Sequence, residues 1–180
     1  MTHTSASEPA GFGLYRTNGN LKKFVEFIGK AAHAGSSPDQ GINALNAATL
    51  ALSAIHAQRE TFRDADSVRV HPIITRGGAS ASSVPADVRM ETFVRASNVE
   101  ALRDANEKVD RALGAGALAV GGKVRVSTLP GPLPSNWNSA LERIWSANAE
   151  ALVGADGVQP TRPLGGSTDM ADISHLMPAI

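Results

Sequence analysis

There is no cysteine among the 180 residues of this sequence. That excludes a disulfide framework and any thiolate metal site, and it fits a reducing, cytoplasmic compartment. Neither charge is in excess, since 17 Lys and Arg stand against 17 Asp and Glu. A nucleic-acid surface needs a clear basic surplus, so no nucleic acid is expected as a partner. No apolar run approaches the roughly 20 residues of a membrane span, so no membrane partner is expected either. The start, Met1 to Pro9, is small and polar. It lacks the apolar centre of a signal peptide, and residues 1–19 read as a flexible leader. Hydrolytic motifs are missing too. No His-x-Asp, no His-Glu-x-x-His, no adjacent pair of glutamates and no Gly-x-Ser-x-Gly elbow occurs. A hydrolytic metal centre needs His and carboxylate ligands with a general base beside the metal-bound water. His56, His71 and His175 have no partner at ligand spacing and read as structural or surface residues, so no metal ligand is expected in this chain.

What is present is an ordinary globular composition, 42% hydrophobic and 19% charged. Phe24, Val25, Phe27 and Ile28 crowd the stretch 21–32, a density of β-formers that predicts a strand. It runs into the turn-rich His33-Ala34-Gly35-Ser36-Ser37-Pro38. There Ser37, Pro38 and Gln40 have the form of a capping box, and Ile42, Leu45, Thr49, Leu52 and Ile55 recur at spacings of three and four. A helix is expected from Asp39 to Arg59, with Ala44, Ala47, Ala48 and Ala51 allowing close packing. Val68, Val70 and Pro72 alternate with polar residues as a second strand, broken by Gly77-Gly78. Val88, Met90, Thr92 and Val94 alternate as a third. Ser97 and Glu100 suggest a second capping box before a helix through Val99, Leu102, Val109 and Leu113, and Val124 and Val126 mark a fourth strand. The order β-α-β-β-α-β over about 20–128 is an α+β, ferredoxin-like arrangement. Leu129 to Pro134 reads as a stiff linker and domain boundary. Beyond it a helix over Asn136–Leu152 and a glycine loop are too little to bury a core alone.

Three polar features could carry chemistry. His33 lies between a strand end and a helix; such a residue is either a structural hydrogen-bonding group or part of a site, and loops that join rigid elements carry sites disproportionately. Arg95 closes the third strand on its polar face, as a solvated charge or as a bidentate clamp for a carboxylate. Gly165-Gly166-Ser167-Thr168-Asp169 is a glycine loop that could offer backbone N–H groups to an anion.

Gly29-Lys30-Ala31-Ala32-His33-Ala34-Gly35-Ser36-Ser37-Pro38-Asp39-Gln40-Gly41-Ile42-Asn43-Ala44-Leu45 resembles a long signature of one metallohydrolase family. That family includes carboxypeptidase G, aminoacylase, succinyl-diaminopimelate desuccinylase and the aminobenzoyl-glutamate amidohydrolases. Val84-Pro85 followed by Arg95, and then the 165–169 loop, match further motifs in the same order. The resemblance implies a dimerisation (lid) domain at 20–130, inserted into an α/β catalytic domain of which 131–180 is a fragment. It implies a homodimer through the lid, two zinc ions in the parent enzyme held by residues outside this chain, and cleavage of a small amide substrate with a free carboxylate. His33 matches the histidine that reaches into the partner's active site and polarises the scissile carbonyl. Arg95 matches the arginine that binds the substrate carboxylate, and Gly165 and Gly166 match the loop that helps hold it. Ser82 stands where the family often has Asn, which leaves a shorter group to meet substrate. The fragment alone is expected to be inactive. The competing reading is a stand-alone ferredoxin-like module that dimerises or binds a small ligand without catalysis.

Overall fold

In the computed structural model, which describes residues 12–180, the centre is a sheet built on two ten-residue strands. These are β2 (Gly19–Ile28) and β5 (Asp87–Ala96), paired antiparallel along their whole length; β1 (Tyr15–Thr17) precedes them. The sheet is completed by β6 (Lys123–Pro130) on one side of β2 and by β3 (Arg69–Val70) and β4 (Ile73–Arg76) on the far side of β5. Helices α1 (Ala44–Ala57) and α2 (Val99–Ala119) cover one face. The expected β-α-β-β-α-β order is present, and the fold is ferredoxin-like.

Strand alternation decides which residues enter the core. Val25 and Phe27 of β2, and Val88, Met90, Val94 and Ala96 of β5, lie under the helices. Phe24 and Phe93, one residue out of phase, stand exposed on the open face. Lys23 is in the buried phase and is fully enclosed. It is tolerated because its Nζ donates to Asp110 Oδ1 at 2.7 Å and Thr128 Oγ1 at 2.9 Å. The two helices meet along a seam of small side chains. Ala47 and Ala51 approach Gly116 so closely that a Cβ on Gly116 would lie 2.4 Å from the Ala47 carbonyl oxygen.

Several boundaries differ from the sequence expectation. The first helix begins at Ala44, not Asp39, because Asn43 caps it: its Oδ1 accepts from the N–H groups of Leu45 and Asn46. Ser37 makes no side-chain cap and precedes only a single 3₁₀ turn, Pro38–Gln40. The second helix is capped by Asn98, which accepts from Ala101 N at 2.8 Å, rather than by Ser97. The strand expected through Val68–Pro72 splits into β3 and β4 at Pro72, which has no N–H for the ladder. Leu129 and Pro130 finish β6, and the chain stays zipped to β2 beyond them through Gly131 N to Asn20 O and Asn20 N to Pro132 O, both 3.0 Å.

The leader expected over 1–19 falls for residues 1–11 outside the described residues. Residues 12–17 are not a free leader. Here β1 runs parallel to β7 (Arg162–Leu164), and Phe12 bridges Val158. Only a three-residue strand is involved, too short for any periodic signal. The C-terminal unit therefore consists of this strand pair with α3 (Ser139–Val153) and α4 (Met170–Ser174). Its side chains Ile144, Leu152, Leu176 and Met177 are exposed.

Candidate functional site

The residues singled out from the sequence gather at two places. The first is the turn after β2. Lys30 and Ile42 exchange backbone hydrogen bonds at 2.9 Å, closing a hairpin-like loop around His33. Gly29 makes this closure possible, since a Cβ there would sit 2.1 Å from the Ile42 carbonyl oxygen. Chain 82–86 runs alongside, with Val84 N to Ala32 O at 2.9 Å and Ala34 N to Ser82 O at 2.8 Å. His33 is exposed, but its ring is held: Nδ1 accepts from the N–H of Gly35 at 3.1 Å and of Ser36 at 3.0 Å. A nitrogen that accepts two N–H groups carries no proton, so the neutral ring bears its proton on Nε2 and presents a donor. Ser82 is part of the same cluster, and its hydroxyl pairs with that of Ser80 at 2.8 Å. Sequence reading missed Ser80; nothing marked it within the Ala-Ser alternation of 79–83. Beside the loop lies an open hollow of about 630 Å³ lined by Ala34, Pro38, Leu45, Ala79 and Val84, without a charged group.

The second place is the end of β5. Arg95 Nη1 donates to Ser167 Oγ at 2.8 Å, and the guanidinium lies 4.7 Å from the Phe93 ring centroid. The glycine loop is thus brought against the strand that carries Arg95. Asn18, unremarked in the sequence, fixes it from below: its N–H donates to Gly166 O at 2.8 Å, and its side chain donates to Ser67 O at 2.9 Å. Asp169 makes no side-chain cap to α4. His175 has a structural contact, with Nε2 2.7 Å from Pro134 O.

The two places are far apart. Because β2 and β5 are antiparallel, Gly19 faces Ala96 and Ile28 faces Asp87. His33 follows the Ile28 end, and Arg95 sits at the Gly19 end. Arg95 pairs with Asn20, so the eight residue steps from there to Ile28, at about 3.3 Å each, span about 26 Å of sheet, and His33 follows in the turn beyond Ile28. Among the described residues, no three His, Asp or Glu side chains converge as a metal site. No helix of the described residues is long and apolar enough to cross a membrane.

Residues 15–120 match the peptidase dimerisation domain. The chain belongs to that family. Among curated proteins it is similar to Xaa-Arg dipeptidase of Homo sapiens, 30% identical over 167 residues, which cover 87% of this chain and 36% of that protein. It is also similar to one of the subunits of p-aminobenzoyl-glutamate hydrolase of Escherichia coli (strain K12), 32% identical over 99 residues, 53% of this chain and 22% of that one. A tripeptidase from Staphylococcus aureus has the same fold, with a TM-score of 0.75 at 23% identity, covering 94% of this chain and 44% of the tripeptidase. The chain spans about a third of the length of the first of these curated relatives. The description of that family, a peptidase dimerisation domain, suggests self-association.

Proposed function

We propose that this chain is the lid of a zinc-dependent amidohydrolase that cleaves an amide bond next to a free carboxylate, and that its two clusters serve different active sites of a homodimer. The observation that carries this is their separation. A small substrate cannot touch His33 and Arg95 of one copy across about 26 Å of sheet. A second copy, placed with its His33 over the first copy's Arg95 and glycine loop, makes one complete site from two halves. In that site Arg95 and the loop of Gly165 and Gly166 hold the substrate carboxylate. His33 Nε2–H and the Ser82 hydroxyl then come from the partner copy. A neutral, fixed donor aimed at the scissile carbonyl oxygen stabilises the charge that develops there without needing to move a proton. The two zinc ions would supply and activate the attacking water, and the residues that hold them lie outside this chain.

Pairing has a natural place. All four residues of β4 are exposed, Ile73 at 61% and Ile74 at 38%, and one edge of the strand is unpaired among the described residues. Leu50 of α1 is exposed as well, at 44%. A bare apolar edge strand invites a second copy. The stand-alone module remains the competing reading, and two measurements separate them. Full-length enzyme stripped of metal and reloaded with zinc should hydrolyse N-acyl amino acids and spare their methyl esters. The 180-residue chain alone should sediment as a dimer and hydrolyse nothing. A full-length protein that is inactive on every amide with zinc bound would leave only the binding module.

A further inference from the structure

Asn18 stands where the chain passes from β1 to β2, and it is 1% exposed. Its side-chain amide donates to the Ser67 carbonyl oxygen at 2.9 Å, and its backbone N–H donates to the Gly166 carbonyl oxygen at 2.8 Å. One buried residue thus joins the glycine loop to the turn before β3. In that turn Ser67 is left-handed, with φ 49°, the one positive φ outside glycine among the described residues. A residue with a Cβ adopts that conformation only where its surroundings over-determine it. Here they do. The Asp66 carbonyl oxygen accepts from Ser97 N at 2.9 Å. The Asp66 carboxylate accepts from the Arg63 guanidinium at 2.8 Å and from the Asn98 amide at 3.0 Å. Ser97 and Asn98 follow Arg95 closely on the chain, and Arg69, two residues beyond Ser67, pairs with Arg95 across the sheet. The turn is therefore built around the strand end that carries Arg95.

Resting on the reading of Arg95 and the glycine loop as the carboxylate clamp, we propose that Asn18 is a positioning residue of that clamp. It meets no substrate itself. It sets the gap between the guanidinium and the loop, by tying the loop to the same turn that brackets the end of β5. Such a tie has a physical reason. Arg95 belongs to the central sheet, whereas the loop lies between β7 and α4 in the C-terminal unit. Their spacing depends on contacts that cross between the two, of which Arg95 Nη1 to Ser167 Oγ at 2.8 Å is one. A binding site needs its groups held within about 0.5 Å of the productive geometry, and a misplacement of about 1 Å can cost 10²-fold. A buried amide with its donor satisfied is a stiff way to hold that spacing.

The test uses the full-length enzyme on an N-acetyl amino acid and on its neutral carboxamide. Asn18→Asp keeps the shape of the side chain and removes the donor to Ser67 O. It should lower the preference for the free acid over the carboxamide by about tenfold, through KM rather than kcat. Added to Arg95→Ala it should cost at most about twofold more, because a residue that acts through Arg95 has little left to do once Arg95 is gone. Should Asn18→Asp fail to fold, Asn18→Ser, which adds no charge and is too short to reach Ser67 O, is read in the same way. An unchanged preference, a loss that falls equally on acid and carboxamide, or one that multiplies the loss of Arg95→Ala would leave Asn18 a purely structural residue. The clamp would still stand if Arg95→Ala itself raised KM for the free acid. If Arg95→Ala leaves that KM unchanged, the clamp falls, and the proposal with it.

Discussion

Two crippled proteins should make an active one. Consider the full-length enzyme in two versions, one with His33→Ala and the other with Arg95→Ala. Each alone should lose about 10²-fold in kcat/KM, the scale set by removing one donor from a preorganised site. In the proposed twofold dimer each composite site takes Arg95 from one copy and His33 from the other. A mixed dimer then holds one site with both residues intact and one with both replaced. Random pairing of equal amounts makes half of the dimers mixed, so about a quarter of all sites are whole and the mixture recovers about a quarter of wild-type activity. Mixed dimers purified through two different tags should recover about half. The assay is the initial rate at substrate below KM, after co-expression so that the two versions pair freely. If both residues served the same copy's site, every site in the mixture would carry one lesion. Activity would then stay at the level of the single variants, about 1%. That outcome would refute the argument from the length of β2 and β5, whatever the role of either residue.

Other consequences can be checked on the chain itself. Gly116→Ala should destabilise it by about 1–3 kcal/mol despite the better helix propensity of Ala, because the new methyl meets backbone 2.4 Å and 2.6 Å away at Ala47 and Ala51. Gly114→Ala in the same helix has nothing within 4 Å and should stabilise by about 0.5–1 kcal/mol; urea midpoints of both variants decide this, and equal signs would contradict the seam. Asp66 is held below the usual carboxylate range, first by the Arg63 guanidinium hydrogen bond and then, against the cost of burial, by the Asn98 amide. A depressed folded-state pKa gives stability that is present above the unfolded value of about 3.9 and is lost as pH falls through the folded one. Asp66→Asn should therefore cost stability at pH 7 and much less at pH 3, read by denaturant titration at both; an equal cost would assign the loss to packing. Long-range nitrogen correlation spectra at neutral pH should show His33 protonated on Nε2. A proton on Nδ1 would undo the donor role assigned to it.

How much was legible beforehand follows from the range of the interactions involved. The pattern Val88, Met90, Thr92, Val94 is set by pleat geometry alone, and it named the buried face of β5 correctly. Helix starts were misplaced because Ser37 and Asn43 both have capping chemistry. The contest between them is settled in three dimensions, by the Lys30–Ile42 pairing that holds Ile42 extended. The three residues of β1 carry no period at all. They form a strand only because β7, some 147 positions on from Tyr15 to Arg162, offers its edge. Lys23 reads as a surface residue beside Lys22, and only the arrival of Asp110 and Thr128 shows why it can be enclosed.

The same distinction applies to the candidate site. His33, Arg95 and the glycine loop stand out in sequence as motifs, but a motif carries no distances. Antiparallel pairing is what turns a gap of 62 positions between His33 and Arg95 into opposite ends of one sheet. Had β2 and β5 been parallel, the end of β2 that leads to His33 would have lain beside the Arg95 end of β5, and one copy could have held the whole site. On the proposed reading of His33 and Arg95, the direction of a single strand pair makes dimerisation a condition of the chemistry. If so, weakening the β4 edge with Ile74→Pro should abolish hydrolysis in the full-length enzyme without touching any residue of either cluster. Activity that survived in a demonstrated monomer would break this link between fold and function.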